Sequence, residues 1–309
     1  MKENERPNPL NDYLFVKYMG EEGDEEQLLA FLNVVLQKTG RNANLVKIIT
    51  DRQIPAKIEG AKASVLDVRA VINDRTKVNI EVQLRAVGNM DKRSLYYWSC
   101  EYSKGIHAGD NYNKLPQVVV INILGAEFLP IDEVHSSFHL WEDEHKDFML
   151  TDVLEMHFID MVKFRRLKEK DIEGNPLHRW LAFFDKNTNE NTLKKIITME
   201  PAIEKAMWKI GNVLQDEDML RIYESREMAA MDYNSGMDHA LNKGKQEGIL
   251  IGKQEGILIG KQEGILIGVQ KIQRQYVLKL AQAGKTVAEI AEFTGLPAET
   301  VKNILIASA

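Results

Sequence analysis

Two carboxylates and an amide in the stretch LDVRAVINDRTKVNIEVQLR, residues 66–85, have the types and spacing to do chemistry. Asp67 and Glu81 stand in alternating segments where a buried strand would prefer something apolar, and Gln83 follows Glu81 by two. Side chains of a strand alternate, so over 77–84 Asn79, Glu81 and Gln83 share one face while Val78, Ile80, Val82 and Leu84 share the other. Over 63–72, Asp67 sits with Val65, Arg69 and Val71. For Asp67 and Glu81 to oppose each other, paired residue numbers must sum to 148. That requires a three- or five-residue loop centred on Asp74, or a bulge, because a two-residue loop gives an odd sum. Asn73 and Asp74 tolerate the left-handed backbone that a three-residue loop needs.

In that register two carboxylates converge on one sheet face. Carboxylates a few ångström apart repel and stay ionised only with something cationic between them. A hard divalent cation such as Mg²⁺ suits the position, since it takes oxygen from one or two carboxylates and keeps several waters. Such an ion lowers the pKa of a bound water and offsets charge building on a phosphate oxygen. The spacing therefore fits metal-assisted phosphodiester hydrolysis. The alternative reading of the same residues is a pair of solvated strand carboxylates.

The elements that must position them can be read from periodicity. NDYLFVKYMG (11–20) and EEQLLAFLNVVLQK (25–38) carry apolar residues at helical spacing. ANLVKIITD (43–51), ASVLDVRAVI (63–72) and KVNIEVQL (77–84) read as strands, the last two joined as a hairpin. NMDKRSLYYWSCEYSKGIHAG (89–109) reads as a helix, and QVVVINIL (117–124) as a strand covered on both faces. The order is helix, strand, strand, strand, helix, strand. FHLWED (138–143) and LEMHFIDMVKF (154–164) read as further strands. From about 176 to 231 the spacing is helical, with Trp180, Phe183, Phe184, Met207 and Trp208 as expected core.

Composition narrows the function classes. The 309 residues are 44% hydrophobic and 28% charged, an ordinary globular balance. A net charge of −6 argues against general coating of nucleic acid but not against a locally basic site. One cysteine, Cys100, excludes an intrachain disulfide framework and a cysteine zinc cluster, and is expected to be a buried small side chain. The first residues hold no signal-peptide-like apolar stretch and no run of 18 apolar residues occurs, so a cytoplasmic protein with no membrane span is the expectation. His135 and His139 are four apart without an acidic partner motif, and packing or solvation is expected of them.

Asp67 followed by Glu81-Val82-Gln83 within this element order resembles the PD-(D/E)XK nuclease superfamily. More narrowly, the chain resembles the Rpn family of recombination-promoting nucleases, PD-(D/E)XK-family transposases. NDYLFVKYMG (11–20), LLAFLN (28–33), LDVRA (66–70), VNIEVQ (78–83), KRSLYYW (92–98) and LTDVLEMHFIDMVKF (150–164) carry that resemblance. It implies an α/β fold, a restriction-endonuclease-like core whose mixed sheet is flanked by helices, with a helical C-terminal extension. It also implies a DNA endonuclease with a Mg²⁺ site, Asp67 and Glu81 as metal ligands, and Gln83 where the superfamily has its catalytic lysine. Asp12 is the candidate for an additional acidic residue that some members use on the first helix. Glutamine can orient a water but cannot neutralise charge, so a cation must come from elsewhere. Arg85 and Arg93 are the candidates for phosphate contact, Arg93 standing one helical turn from Tyr97.

Two features lie beyond this core. GKQEGILI occurs three times, from Gly244, Gly252 and Gly260, with glycine at every fourth position to Gly268. Interior glycine costs a helix about 1 kcal/mol each, and a period of eight rotates each Ile-Leu-Ile patch by about 80°, so a linker of weak helical tendency is expected. Thr286 and Glu289 form a capping box, and VAEIAEFTGLPAETVKNIL (287–305) resembles a helix-turn-helix with Pro297 opening the second helix. Glu299, Thr300 and Lys302 are its candidate DNA readers.

The expected organisation is a nuclease core over 8–165, a helical accessory region over 166–240, the repeat linker over 241–270 and the helix-turn-helix-like tail over 271–309. The expected partners are DNA and further copies of the chain in a homo-oligomer. The expected role is promotion of DNA recombination, or work in mobile-element or defence biology. The rival reading is a catalytically weak DNA-binding or self-associating regulatory protein.

Overall fold

The loop Asn73–Arg75 sets the register of the hairpin. In the computed structural model, which describes residues 6–49, 68–85 and 88–307, β2 (Val68–Ile72) runs antiparallel to β3 (Thr76–Gln83). The pairs run from Val68↔Ile80 to Ile72↔Thr76, each with residue numbers summing to 148, so the loop has three residues centred on Asp74. Asn73 (φ 51°) and Asp74 (φ 57°) take the left-handed conformation that asparagine and aspartate tolerate. The Asn73 side chain ties the loop to the preceding segment, accepting from the Asn44 amide at 2.8 Å and donating to the Asn42 carbonyl at 3.0 Å. Asp67 lies outside the described residues.

Among the described residues, six strands form one mixed sheet in the order β1-β2-β3-β4-β6-β5. β1 is Val46–Ile48, β4 Val118–Leu124, β5 His135–Trp141 and β6 Met149–Asp160. β3 is parallel to β4 and β4 to β6, whereas β1 and β5 pair antiparallel at the two edges. α1 (Asp12–Met19) and α2 (Glu25–Leu36) cover one face. There Leu14, Phe15, Leu28 and Leu32 meet Val78, Ile80, Val119, Ile121 and Ile123 in one apolar cluster. α3 (Met90–Ser103) covers the other face, over a smaller cluster of Met90, Val118, Val120, Leu124, Leu154, Met156 and Phe158. β4 is buried along its whole length, as its continuous apolar run predicts.

β6 does not continue to Phe164 as its sequence pattern suggests. The Asp160 side chain accepts from the amides of Val162 (2.8 Å) and Lys163 (3.0 Å), which caps α4 (Met161–Arg166) and ends the strand. α5 (Pro176–Phe184), α6 (Glu190–Met199) and α7 (Pro201–Gln215) follow. Trp180, Phe183 and Phe184 enter the same cluster as α1 and α2, Phe31 meeting Trp180 and Phe184 at ring distances of 5.4 and 5.3 Å. Trp208, expected in the core, is 70% exposed, and Met207 is exposed beside it. α7 buries Ala202, Ile203, Ala206, Ile210 and Val213, a stripe at three- and four-residue spacing that leaves Met207 at its edge and Trp208 on the far side.

The chain divides into two compact units, Met1–Asp232 and Tyr233–Ala309. α8 (Glu217–Gln282) takes in the GKQEGILI repeat as continuous helix, where a weakly helical linker was expected. The Ile-Leu-Ile triplets at 249–251, 257–259 and 265–267 are exposed, and no single apolar face forms. In the second unit, Val277 at the end of α8 packs on Ile290 of α9 (Val287–Thr294) and Val301 of α10 (Ala298–Ile306). The Thr286–Glu289 capping box forms, Gly295 ends α9 with φ 67°, and Pro297 stands just ahead of α10 as its N-cap. No helix among the described residues is long and apolar enough to cross a membrane.

Candidate active site on the sheet face beneath α3

α3 turns two stripes toward the sheet. Met90, Ser94 and Trp98 recur every four residues and settle over β4 and β6, with Trp98 Nε1 donating to the Val153 carbonyl at 3.3 Å. Arg93, Tyr97 and Glu101 form the adjacent stripe, over the hairpin. The Arg93 guanidinium lies 5.5 Å from the Tyr97 ring centre and its Nη2 donates to Glu81 Oε1. Glu81 is 2% exposed, so this is a charge-assisted bond in a poorly screened place. One turn further, Glu101 pairs with Arg69 (3.7 Å) and Lys104 (2.8 Å), and its carbonyl accepts from Lys77 Nζ at 2.9 Å. Burial pushes the Lys77 ammonium below the usual lysine range, with the Glu101 charge opposing.

Two amides flank Glu81. Asn122 is its register partner on β4, and Asn79 stands two residues earlier on the same face of β3. Both are buried, and Asn79 Oδ1 has no hydrogen-bond partner among the described residues. Asn122 Nδ2 donates to the His157 carbonyl at 3.1 Å, while its Oδ1 accepts from Ser94 Oγ at 2.9 Å. The signal for Asn122 was visible as the one polar residue within VVVINIL, residues 118–124. Ser94 gave no such sign.

Gln83 is half-buried at the end of β3, its Nε2 donating to the Arg85 carbonyl at 3.2 Å. With Arg85, Met90, Leu124, Glu127 and Phe128 it lines a shallow pocket. Gly125 makes this end of the sheet tight: a Cβ there would meet Leu84 Cα at 2.7 Å, and the Gly125 amide donates to the Gln83 carbonyl at 2.9 Å. Arg85 Nη2 reaches the Ala229 carbonyl of α8 at 3.5 Å. Glu81, Gln83 and Arg93 thus gather at one end of the hairpin. Asp12, at the start of α1, pairs instead with Arg226 at 3.6 Å. Thr300 and Lys302 are exposed on α10, in the second unit.

The donor set tests what ion the face could hold. The carboxylate of Glu81 and the unengaged amide oxygen of Asn79 are oxygen ligands, which suit a hard cation that keeps its waters. No group of three or more His, Cys, Asp or Glu among the described residues could hold a metal, so a site of zinc type does not arise there.

Sequence reasoning missed a second polar cluster, on the opposite sheet face. His135 of β5 bonds His157 of β6 at 2.9 Å, and His157 bonds Glu155 at 2.8 Å. Glu155 also accepts from Thr39 Oγ1 at 2.7 Å and pairs with Arg41 at 2.9 Å. Burial, aided by the neighbouring His157 and Lys38, pushes His135 down to about 3. Burial raises Glu155, but the His157 and Thr39 hydrogen bonds and the Arg41 charge outweigh it and bring its carboxyl below the usual range. The acidic partner that HSSFH lacks in sequence arrives from the paired strand. Cys100, expected to be buried, is only partly so.

A family model described as PD-(D/E)XK nuclease family transposase matches residues 9–240. Comparison with curated proteins and with solved structures gives no match. The match covers well over half the chain, including both layers of helices around the sheet, the hairpin and α3. The chain belongs to the PD-(D/E)XK nuclease family transposases.

Proposed function

We propose that this chain is a divalent-metal-dependent DNA endonuclease, using Mg²⁺, that hydrolyses phosphodiester bonds in the service of DNA recombination or a mobile element. The observation that carries the reading is a buried carboxylate, Glu81, paired with an arginine on the hairpin face of a PD-(D/E)XK family chain. PD-(D/E)XK nucleases generally use divalent metal ions. Glu81 and Asp67 would hold the ion, Asp67 being the residue directly before Val68, whose register partner is Ile80. Bound there, the ion supplies an acidified water and a counter-charge for the phosphate.

Gln83 orients the attacking water through its amide, as a neutral donor and acceptor. Arg85 and Arg93 bring the positive charge that a glutamine lacks to the phosphate oxygens. Thr300 and Lys302, in a helix-turn-helix-like tail, contribute DNA contacts. The exposed Ile-Leu-Ile triplets of the repeat support self-association into a homo-oligomer. The test is incubation of supercoiled plasmid with the purified chain in Mg²⁺ and in EDTA. Nicking that needs the metal, and that Asp67→Ala and Glu81→Ala each abolish, supports the reading. Equal inertness of all three in the presence of DNA binding overturns it in favour of a regulatory DNA-binding protein.

A further inference from the structure

Arg93 engages the carboxylate proposed above to hold a divalent cation. A guanidinium within hydrogen-bond reach of Glu81 and a doubly charged ion on the same carboxylate are like charges a few ångström apart. Glu81 is 2% exposed, so water screens that repulsion poorly. One of the two has to yield. The guanidinium is held loosely enough to do so. It engages Glu81 through Nη2, while its buried Nε makes no hydrogen bond among the described residues, so the hold is not a two-pronged fork. The Arg93 side chain is also 29% exposed and lies against the Tyr97 ring, so part of it faces water and its head can turn.

We propose that Arg93 and the divalent cation compete for Glu81, and that a DNA phosphate, by drawing the guanidinium away, opens the carboxylate to the ion. The inference rests on the metal reading of the site. Arg93 keeps the buried charge of Glu81 compensated until substrate arrives, which avoids the large penalty of an unpaired interior carboxylate. It then pairs with the phosphate instead. Substrate and ion therefore favour each other's binding, and thermodynamic linkage makes the effect reciprocal.

Calorimetric titration of Mg²⁺ into the full chain, without DNA, reads the competition directly. Arg93→Ala and Arg93→Gln should each bind Mg²⁺ about tenfold more tightly than wild type, within the usual range for coupled sites. Glu81→Ala should abolish the binding. Adding a short duplex in Ca²⁺ should tighten ion binding more in wild type than in Arg93→Ala, where only the direct attraction of ion and phosphate remains. If wild type shows Glu81-dependent binding but both neutral variants bind no better, the competition is overturned and the metal reading stands. If no variant shows Glu81-dependent binding, both fall. Thermal melts by circular dichroism check the fold; failure of both neutral variants to fold would make the guanidinium a permanent structural partner and overturn the competition.

Discussion

Asn122 stands beside Glu81 on the neighbouring parallel strand and is fastened on both sides, to the His157 carbonyl at 3.1 Å and to Ser94 Oγ at 2.9 Å. Ser94 shares its one hydroxyl proton between Asn122 and the Met90 carbonyl, 2.8 Å away. This bond ties α3 to the sheet one residue from Arg93. Ser94→Ala strips a buried acceptor of its donor and should cost about 1–3 kcal/mol. Urea denaturation measures it; a midpoint equal to wild type would show that the bond contributes nothing net.

Gly125→Ala should disturb the site from the other side. The new Cβ falls 2.7 Å from Leu84 Cα and 2.8 Å from its carbonyl oxygen, so backbone rather than a flexible side-chain end must move. Overpacking of this kind costs about 1–3 kcal/mol. Because the Gly125 amide holds the Gln83 carbonyl, plasmid nicking should also fall at temperatures where the variant is folded. Wild-type nicking from a folded Gly125→Ala protein would mean that Gln83 needs no such placement.

Acid should destabilise the fold before ordinary carboxylates are protonated. His135 moves from 6.5 in the unfolded chain to about 3 in the fold, so between those values the unfolded state binds more protons. Its contribution is intact above pH 6.5 and is lost as pH falls, by at most about 1.4 kcal/mol per pH unit. His139 is also pushed down, first by burial, and acts in the same sense. Glu155, lowered in the fold, adds a loss below the normal carboxylate range. His135→Gln should flatten the stability profile between pH 6.5 and 4 while leaving pH 8 little changed apart from the lost hydrogen bond. An unaltered acid slope would remove His135 as the cause.

Deleting 244–268 tests the repeat. Nine exposed Ile and Leu side chains recur there at 249–251, 257–259 and 265–267. If they mediate self-association, light scattering should show a smaller particle after deletion, with plasmid nicking per chain retained. An unchanged mass assigns assembly to other surfaces.

The hairpin was legible because two independent local rules agreed on it. Alternation set which residues share a face, and Asn73-Asp74 offered the left-handed residues of a three-residue loop; the sequence left a five-residue loop or a bulge open as well, and the structure takes the three-residue loop. The stripe of Arg93 and Tyr97 was legible from helical spacing alone. Side-chain bonds between distant elements were not. Ser94 to Asn122 and His135 to His157 join residues 28 and 22 apart, and only the sheet order brings them together. The strand-like reading of 154–164 failed at Asp160, where a cap outcompeted β propensity. Trp208 failed for a different reason: helical spacing says that a face is buried, and residue size misled as to which one.

If the proposed site works as described, the Glu81 carboxylate holds the metal on which DNA cleavage depends. The nicking rate of Glu81→Gln against wild type in Mg²⁺ tests it most directly, because the amide keeps the shape and can still accept from Arg93 but carries no charge. Glu81→Gln should lose about a hundredfold or more in rate, of the order seen when a principal catalytic electrostatic contact is removed. Equal rates for the two proteins would contradict it.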